Sequence, residues 1–177
     1  MAEISPLLSK YAQKKKIKYF LKDIPKPAKI LEVGCGSFWL GNYLKKSGWK
    51  NYVGLDLRPP ADIVGNILNW KKLGIKGNSF DVIIAFEVIE HINCFQEFFD
   101  ILKPGGLLML TSPVPNMDWL CKLLETLRLN QKRTSPHDHL IYFKDIPFFE
   151  PIETKTVGFI SQWGKFRKPI IKTAKRG

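Results

Sequence analysis

The chain has 177 residues, 45% of them apolar and 25% charged, which is the composition of one globular domain long enough to bury a core. No run approaches the roughly 18 apolar residues of a membrane helix, and the opening MAEISPLLSKYAQKKK lacks the basic-then-apolar order of a secretory signal. Cys35, Cys94 and Cys121 are odd in number, scattered and without a CxxC pair, which excludes a disulfide frame or thiolate zinc site and points to a reducing, cytoplasmic setting.

The net charge of +12 is unevenly placed: residues 1–30 and 151–177 carry +6 each, and residues 31–150 are neutral. Basic ends of this kind attract phosphate-bearing partners such as RNA, nucleotides or anionic headgroups. The same lysines also read as a solvated helix face, and no known RNA-binding motif accompanies them.

In chain order, Ile4–Leu21 reads as an amphipathic leader helix with Leu7, Leu8, Tyr11, Ile17, Phe20 and Leu21 on its apolar side, broken by DIPKPAK. Ile30–Val33 is a short apolar strand, and Trp39–Lys46 a helix closed by Ser47-Gly48. Strands follow at Tyr52–Leu57, Asp62–Val64 and Phe80–Phe86, then a helix at Phe95–Leu102 with a phenylalanine stripe. KPGG turns the chain into a fifth strand, Leu107–Thr111, and a helix is expected around Asp118–Leu127. Apolar strands alternating with helices predict an α/β fold, a parallel sheet covered on both faces. Ligands of such sheets bind beyond the carboxyl ends of the strands.

Those ends carry the informative residues. Gly34 and Gly36 follow the first strand, permitting a tight turn that brings a ligand onto bare backbone and a helix N-terminus. Trp39 stands where a dinucleotide fingerprint needs a third glycine. Asp56 ends the second strand, about twenty residues on, where a carboxylate accepts ribose hydroxyls. Together they favour an adenosine-type ligand.

In order, ILEVGCG, YVGLDL, SFDVIIAFEVIEHI and ILKPGGLLMLTSP resemble the successive motifs of the class I S-adenosylmethionine-dependent methyltransferases, especially their type 11 group, over about Ala28 to Pro113. The resemblance implies a Rossmann-like, mostly parallel seven-stranded sheet. The segment after Pro151 is short for the closing strands, so the sheet is expected to be complete or truncated there. It implies S-adenosylmethionine as cofactor, with Glu32, Gly34, Cys35 and Gly36 around the methionine moiety. Asp56 and Leu57 would lie at the ribose, Asn66 and Ile67 at the adenine, and Phe86 or Glu87 on the far side. It further implies one domain: a leader over 1–27, a cofactor-binding half over 28–113, and an acceptor-side half with a basic tail over 114–177.

Phe38 replaces a glycine usual in that family. It is tolerable if its backbone has negative φ and its ring packs outward against the leader helix or the sheet. Otherwise the pocket is filled and the chain is a silent scaffold of the same fold. Glu87, Glu90 and His91 share one side of a helical turn and are the candidate catalytic group. They also resemble the Glu-x-x-Glu-His stretch of metal-assisted O-methyltransferases, which implies that Glu87, Glu90, His91 and His137 hold a divalent ion. Glu-Val-x-Glu-His is equally common in type 11 enzymes without a metal. His137 and His139 also read as loop residues bonded to backbone. Tyr142, Phe143, Phe148 and Phe149 wall an acceptor pocket or belong to the core. The acceptor reads as an oxygen of a small molecule or of RNA.

Overall fold

A computed structural model of the chain describes residues 6–117 and 139–170. A helix, α1 (Pro6–Phe20), leads into β1 (Ile30–Val33), α2 (Trp39–Lys46), β2 (Tyr52–Asp56) and β3 (Ile63–Val64). After a 3-10 turn at Ile67–Asn69 come β4 (Phe80–Phe86), α3 (Phe95–Ile101), β5 (Leu102–Pro113), β6 (Glu150–Val157) and β7 (Ser161–Arg167). They form one seven-stranded sheet in the order β3-β2-β1-β4-β5-β7-β6. Strands β1 to β5 run parallel, and β7 pairs antiparallel with both β5 and β6. The sheet is therefore mostly parallel and complete, not truncated after Pro151. The strand order reverses between β1 and β4, so the ends of those strands open a crevice.

Alternation along the strands divides the core. Leu31, Val33, Leu55, Ile83, Ala85, Leu108 and Leu110 face α3 with its buried Phe95, Phe98 and Ile101. Ile30, Tyr52, Val82, Ile84 and Met109 face the other way, onto α2 and the end of α1 through Leu40, Leu44, Tyr19 and Phe20. Phe98 and Phe20 are almost wholly buried, each contributing roughly 1.5–3 kcal/mol. Glu32 alternates onto the α1/α2 face, so a carboxylate is carried into that layer.

The elements differ from the sequence expectation in two places. On the expected apolar side of α1, Tyr19 and Phe20 are buried, whereas Tyr11 is 60% exposed. Strand β5 begins at Leu102, directly after α3, because Leu102 pairs with Phe80 before Lys103–Gly106 bulges out and Val82 resumes pairing at Leu107. Gly105 takes φ +77° in that bulge, a conformation open to glycine. The helix expected over Asp118–Leu127 lies outside the described residues.

Lys168 was counted with the basic end, yet it is buried. Its ammonium donates to Asn78 Oδ1 at 2.8 Å and to the Phe99 and Leu102 carbonyls at 2.6 and 2.8 Å. A cation thereby caps the carbonyl end of α3, favoured by the helix dipole, and pins the end of β7 to the α3–β5 junction. Burial holds its pKa below the usual lysine value. Replacing Lys168 by Met strands those acceptors. It should cost about 2–4 kcal/mol, read as a lowered urea midpoint with unchanged slope.

Candidate active site at the carboxyl ends of the strands

The loop after β1 turns sharply. Gly34, Gly36 and Phe38 all have positive φ, at +75°, +50° and +64°. A Cβ on Gly34 would lie 2.5 Å from Val88 Cγ2, whereas one on Gly36 would meet nothing within 4 Å. Gly34 is therefore required by a close approach, and the backbone at Gly36 borders open space. Phe38 occupies the left-handed region, contrary to the expected negative φ, which explains why a glycine suits this position.

Its ring nevertheless leaves the loop. It stands edge-on to Tyr52, 5.5 Å between centroids, with the Lys45 ammonium 4.6 Å from its centre. Gly54 makes this possible, since a Cβ there would sit 2.6 Å from Phe38 Cε2. The ring packs against the sheet, as the second half of the expectation required.

Below the loop, the Tyr52 hydroxyl donates a short hydrogen bond to Glu32 Oε2. Burial pushes Glu32 up to about 8, although the Tyr52 bond opposes the shift. Cys35, also buried, is raised to about 12 by the same cause and by the neighbouring Glu32 charge, so it is no thiolate nucleophile.

Asp56, at the end of β2, accepts from Gly36 N–H at 2.8 Å and Arg58 N–H at 3.2 Å. It ties the first two strand-end loops together. Leu57 beside it is 67% exposed. Asn66 accepts from Leu68 N–H at 3.0 Å, capping the 3-10 turn in which Ile67 is buried. The side-chain oxygen expected at an adenine is thus already engaged.

At the end of β4 the half-buried Phe86 is followed by Glu87, a non-glycine residue at φ +57°. Glu87 Oε1 accepts from Thr111 Oγ1 at 2.7 Å and faces Lys16 Nζ at 3.4 Å. Lys16 also donates to Thr111 at 3.2 Å and stands 4.8 Å from the Phe86 ring centre. Glu90 is 1% exposed and accepts from Ser112 Oγ at 3.1 Å. Burial, reinforced by the charge of Glu87, pushes it up to about 8. His91 is half-buried, and the exposed His139 gives its backbone N–H to the Glu90 carbonyl at 3.1 Å.

The expected metal site is not assembled. Among the described residues no group of three His, Cys, Asp or Glu side chains is placed to hold an ion. Glu87 is engaged by Lys16 and Thr111 and meets Glu90, which is buried on Ser112; His137 lies outside the described residues. Half of the aromatic cluster is core: Phe143 and Phe149 are buried, Tyr142 is half-buried and Phe148 is exposed. Tyr142 and Phe143 do line one side of a cavity of about 250 Å³ with Thr154, Thr156 and Gln162.

Tyr52, Thr111 and Ser112 escaped sequence reading, although the strand period and the pairing of Phe86 with Thr111 put them beside residues that did not. Lys16 carried no signal, being one lysine among several on a helix that only tertiary packing brings to the crevice.

Comparison with known proteins places the chain in a family. The methyltransferase-domain family profile matches residues 8–155. The rat mitochondrial ubiquinone biosynthesis O-methyltransferase is 31% identical over 107 residues, covering 48% of this chain but only 30% of that enzyme. An uncharacterized protein of Methanocaldococcus jannaschii is 29% identical over 183 residues, 96% of this chain and 71% of that protein. The N-methyltransferase NodS of Bradyrhizobium japonicum shares the fold with a TM-score of 0.63 at 14% identity, over 94% and 99% of the two chains. The chain belongs to the methyltransferase-domain family, and its fold is that of the class I S-adenosylmethionine-dependent enzymes.

Two outcomes are expected here. Glu32 and Glu90 are protonated more readily in the folded chain, at about 8, than at their ordinary 4.5. The native state then binds more protons, so stability is greatest below the ordinary value and falls as pH rises towards 8. Urea midpoints should fall between about pH 5 and about pH 8.5, and less so in Glu32→Gln. Phe38→Gly should change S-adenosylhomocysteine affinity by less than about threefold (~0.7 kcal/mol), because the ring lies outside the cradle. A large gain on calorimetric titration would show that the ring obstructs it.

Proposed function

We propose that the chain transfers a methyl group from S-adenosylmethionine to an oxygen of a small molecule or of RNA, in the crevice where β1, β2, β4 and β5 end. The observation carrying this reading is the juxtaposition, at one end of the sheet, of an open glycine cradle at Gly36 with a carboxylate pair held by Thr111, Ser112 and Lys16.

The residues present suit the cofactor. The backbone at Gly36 leaves room that any side chain would fill. Glu32 and Cys35 form the floor beneath it, Asp56 stands at the second strand end for ribose hydroxyls, and Asn66 and Ile67 border the adenine position. Bound S-adenosylmethionine supplies an electrophilic methyl on a sulfonium, so the protein's task is placement, desolvation and, for a hydroxyl acceptor, removal of a proton.

Glu87 is the group for that proton. Its side chain is 43% exposed, so an acceptor reaches it, while Lys16 and Thr111 hold its orientation. Glu90, buried behind it and biased towards the protonated form, keeps the pair from carrying two negative charges. His91 borders the same turn. Residues 28–113 then form the cofactor half of a single domain and 114–177 the acceptor side.

The test is calorimetric titration with S-adenosylhomocysteine beside NAD. Micromolar binding of the former, about −8 kcal/mol, is expected, with none of the latter. Asp56→Ala should weaken it at least tenfold, whereas Glu87→Gln should leave it nearly intact. Absence of heat with the unaltered chain would defeat the proposal.

A further inference from the structure

The helix α1 holds five lysines and no acidic residue. Charged helices ordinarily place Glu or Asp three or four residues from Lys, since like charges at that spacing repel. Two of the five are accounted for: Lys16 turns into the crevice, and Lys15 lies over the Tyr11 ring, 5.2 Å from its centre.

The other three, Lys10, Lys14 and Lys18, recur every four residues. They fall within about 80° of one another around the axis and about 6 Å apart along it, on the side of the helix away from Lys16. All are exposed, and among the described residues no carboxylate pairs with them.

The fold adds to this row. The Lys155 ammonium comes from the opposite end of the sequence to lie 3.5 Å from the centre of the Tyr19 ring; Lys165, 4.4 Å from the same centre, is buried and paired with Glu153 at 3.2 Å. Lys22 stands close enough to Asp23, at 3.8 Å, to share it with Lys165, at 4.0 Å. The basic ends of the sequence, apart by a neutral stretch of 120 residues, thus meet on the flank of α1. An interfacial membrane helix needs an apolar face to bury, but Tyr19 and Phe20 are committed to the core. From Lys10 onward, what α1 exposes is a regular row of ammoniums, with Tyr11 60% exposed among them. That row matches a strand of phosphates carrying unstacked bases.

We infer that the Lys10–Lys14–Lys18 stripe, extended by Lys22 and Lys155, binds single-stranded RNA. A strand held there is separated from Glu87 by at least the diameter of α1, about 10–12 Å, so an acceptor nucleotide would lie beyond the bound stretch. Its 2′-hydroxyl is an acceptor of the oxygen class. The link to catalysis rests on the methyltransferase reading; the binding itself does not.

The experiment is fluorescence anisotropy of a labelled oligouridine over a salt series. It compares the unaltered chain with K10Q/K14Q/K18Q and with K71Q/K72Q/K76Q, which removes equal charge from exposed lysines elsewhere. The stripe variant should bind at least tenfold more weakly, with a log–log salt slope smaller by about 2, near 0.7 for each lysine; the control should keep most of the slope. No RNA binding by the unaltered chain, equal losses in both variants, or binding only to phosphatidylserine vesicles overturns the inference. S-adenosylhomocysteine titrated into the same samples separates the two readings: its loss with RNA binding intact defeats the methyltransferase assignment and leaves the surface standing.

Discussion

The crevice depends on a tyrosine hydroxyl reaching a buried carboxylate. Tyr52 extends across the α2 face of the sheet to Glu32, and it has room because residues 41 and 54 are glycines. A Cβ at either position would lie under 3 Å from the Tyr52 ring or hydroxyl. That contact satisfies Glu32 where burial would otherwise leave it unpaired. It also provides the ring against which Phe38 stands, so the left-handed turn at residue 38 and the fate of its side chain follow from it. A Tyr52→Phe chain would keep the packing and lose the donor, which separates the polar part of this constraint from the steric part.

The second dependence is on α1, whose two sides have different chemistry. One side brings Phe20 against Phe86 and Trp163, at 4.9 and 5.7 Å between centroids, and this packing delivers Lys16 to Glu87 and Thr111. The other side bears Lys10, Lys14 and Lys18, which no carboxylate among the described residues offsets. Nothing in the helix itself accounts for that imbalance, since at four-residue spacing it works against helix formation. The apolar last turn holds α1 in place despite it.

Much of the sheet was legible because each parallel strand is a short apolar run bounded by turn residues, and because glycines and acids mark the strand ends. The ranges of β1, α2 and β4 are those expected. The start of β5 was hidden, since Leu102 looks like the end of a helix stripe and pairs with Phe80 only across a bulge. The left-handed backbone of Phe38 was hidden as well: a residue type so rarely found there gives no warning, and its cost is met by packing on Tyr52 that no local pattern encodes. Lys168 shows the same limit in reverse. By composition it belongs to a basic surface, but three acceptors at a helix end draw it inside.

The Glu87–Glu90 turn is where pattern and geometry diverge most usefully. The spacing puts both carboxylates on one side of a turn, which suits a divalent ion if both are ionised and aimed at one point. In the fold the two side chains meet each other, and burial pushes Glu90 towards the protonated form that such a contact requires. Lys16 and Thr111 satisfy the exposed carboxylate, and burial on Ser112 favours a retained proton on the hidden one. An ion placed there would have to displace an ammonium and strip a proton from a site 1% exposed, against both Coulomb repulsion and the cost of a buried charge. In the proposed reaction this arrangement would leave Glu87 as the accessible base with Glu90 biased towards its protonated form behind it, a division of roles between two carboxylates that follows from their unequal burial.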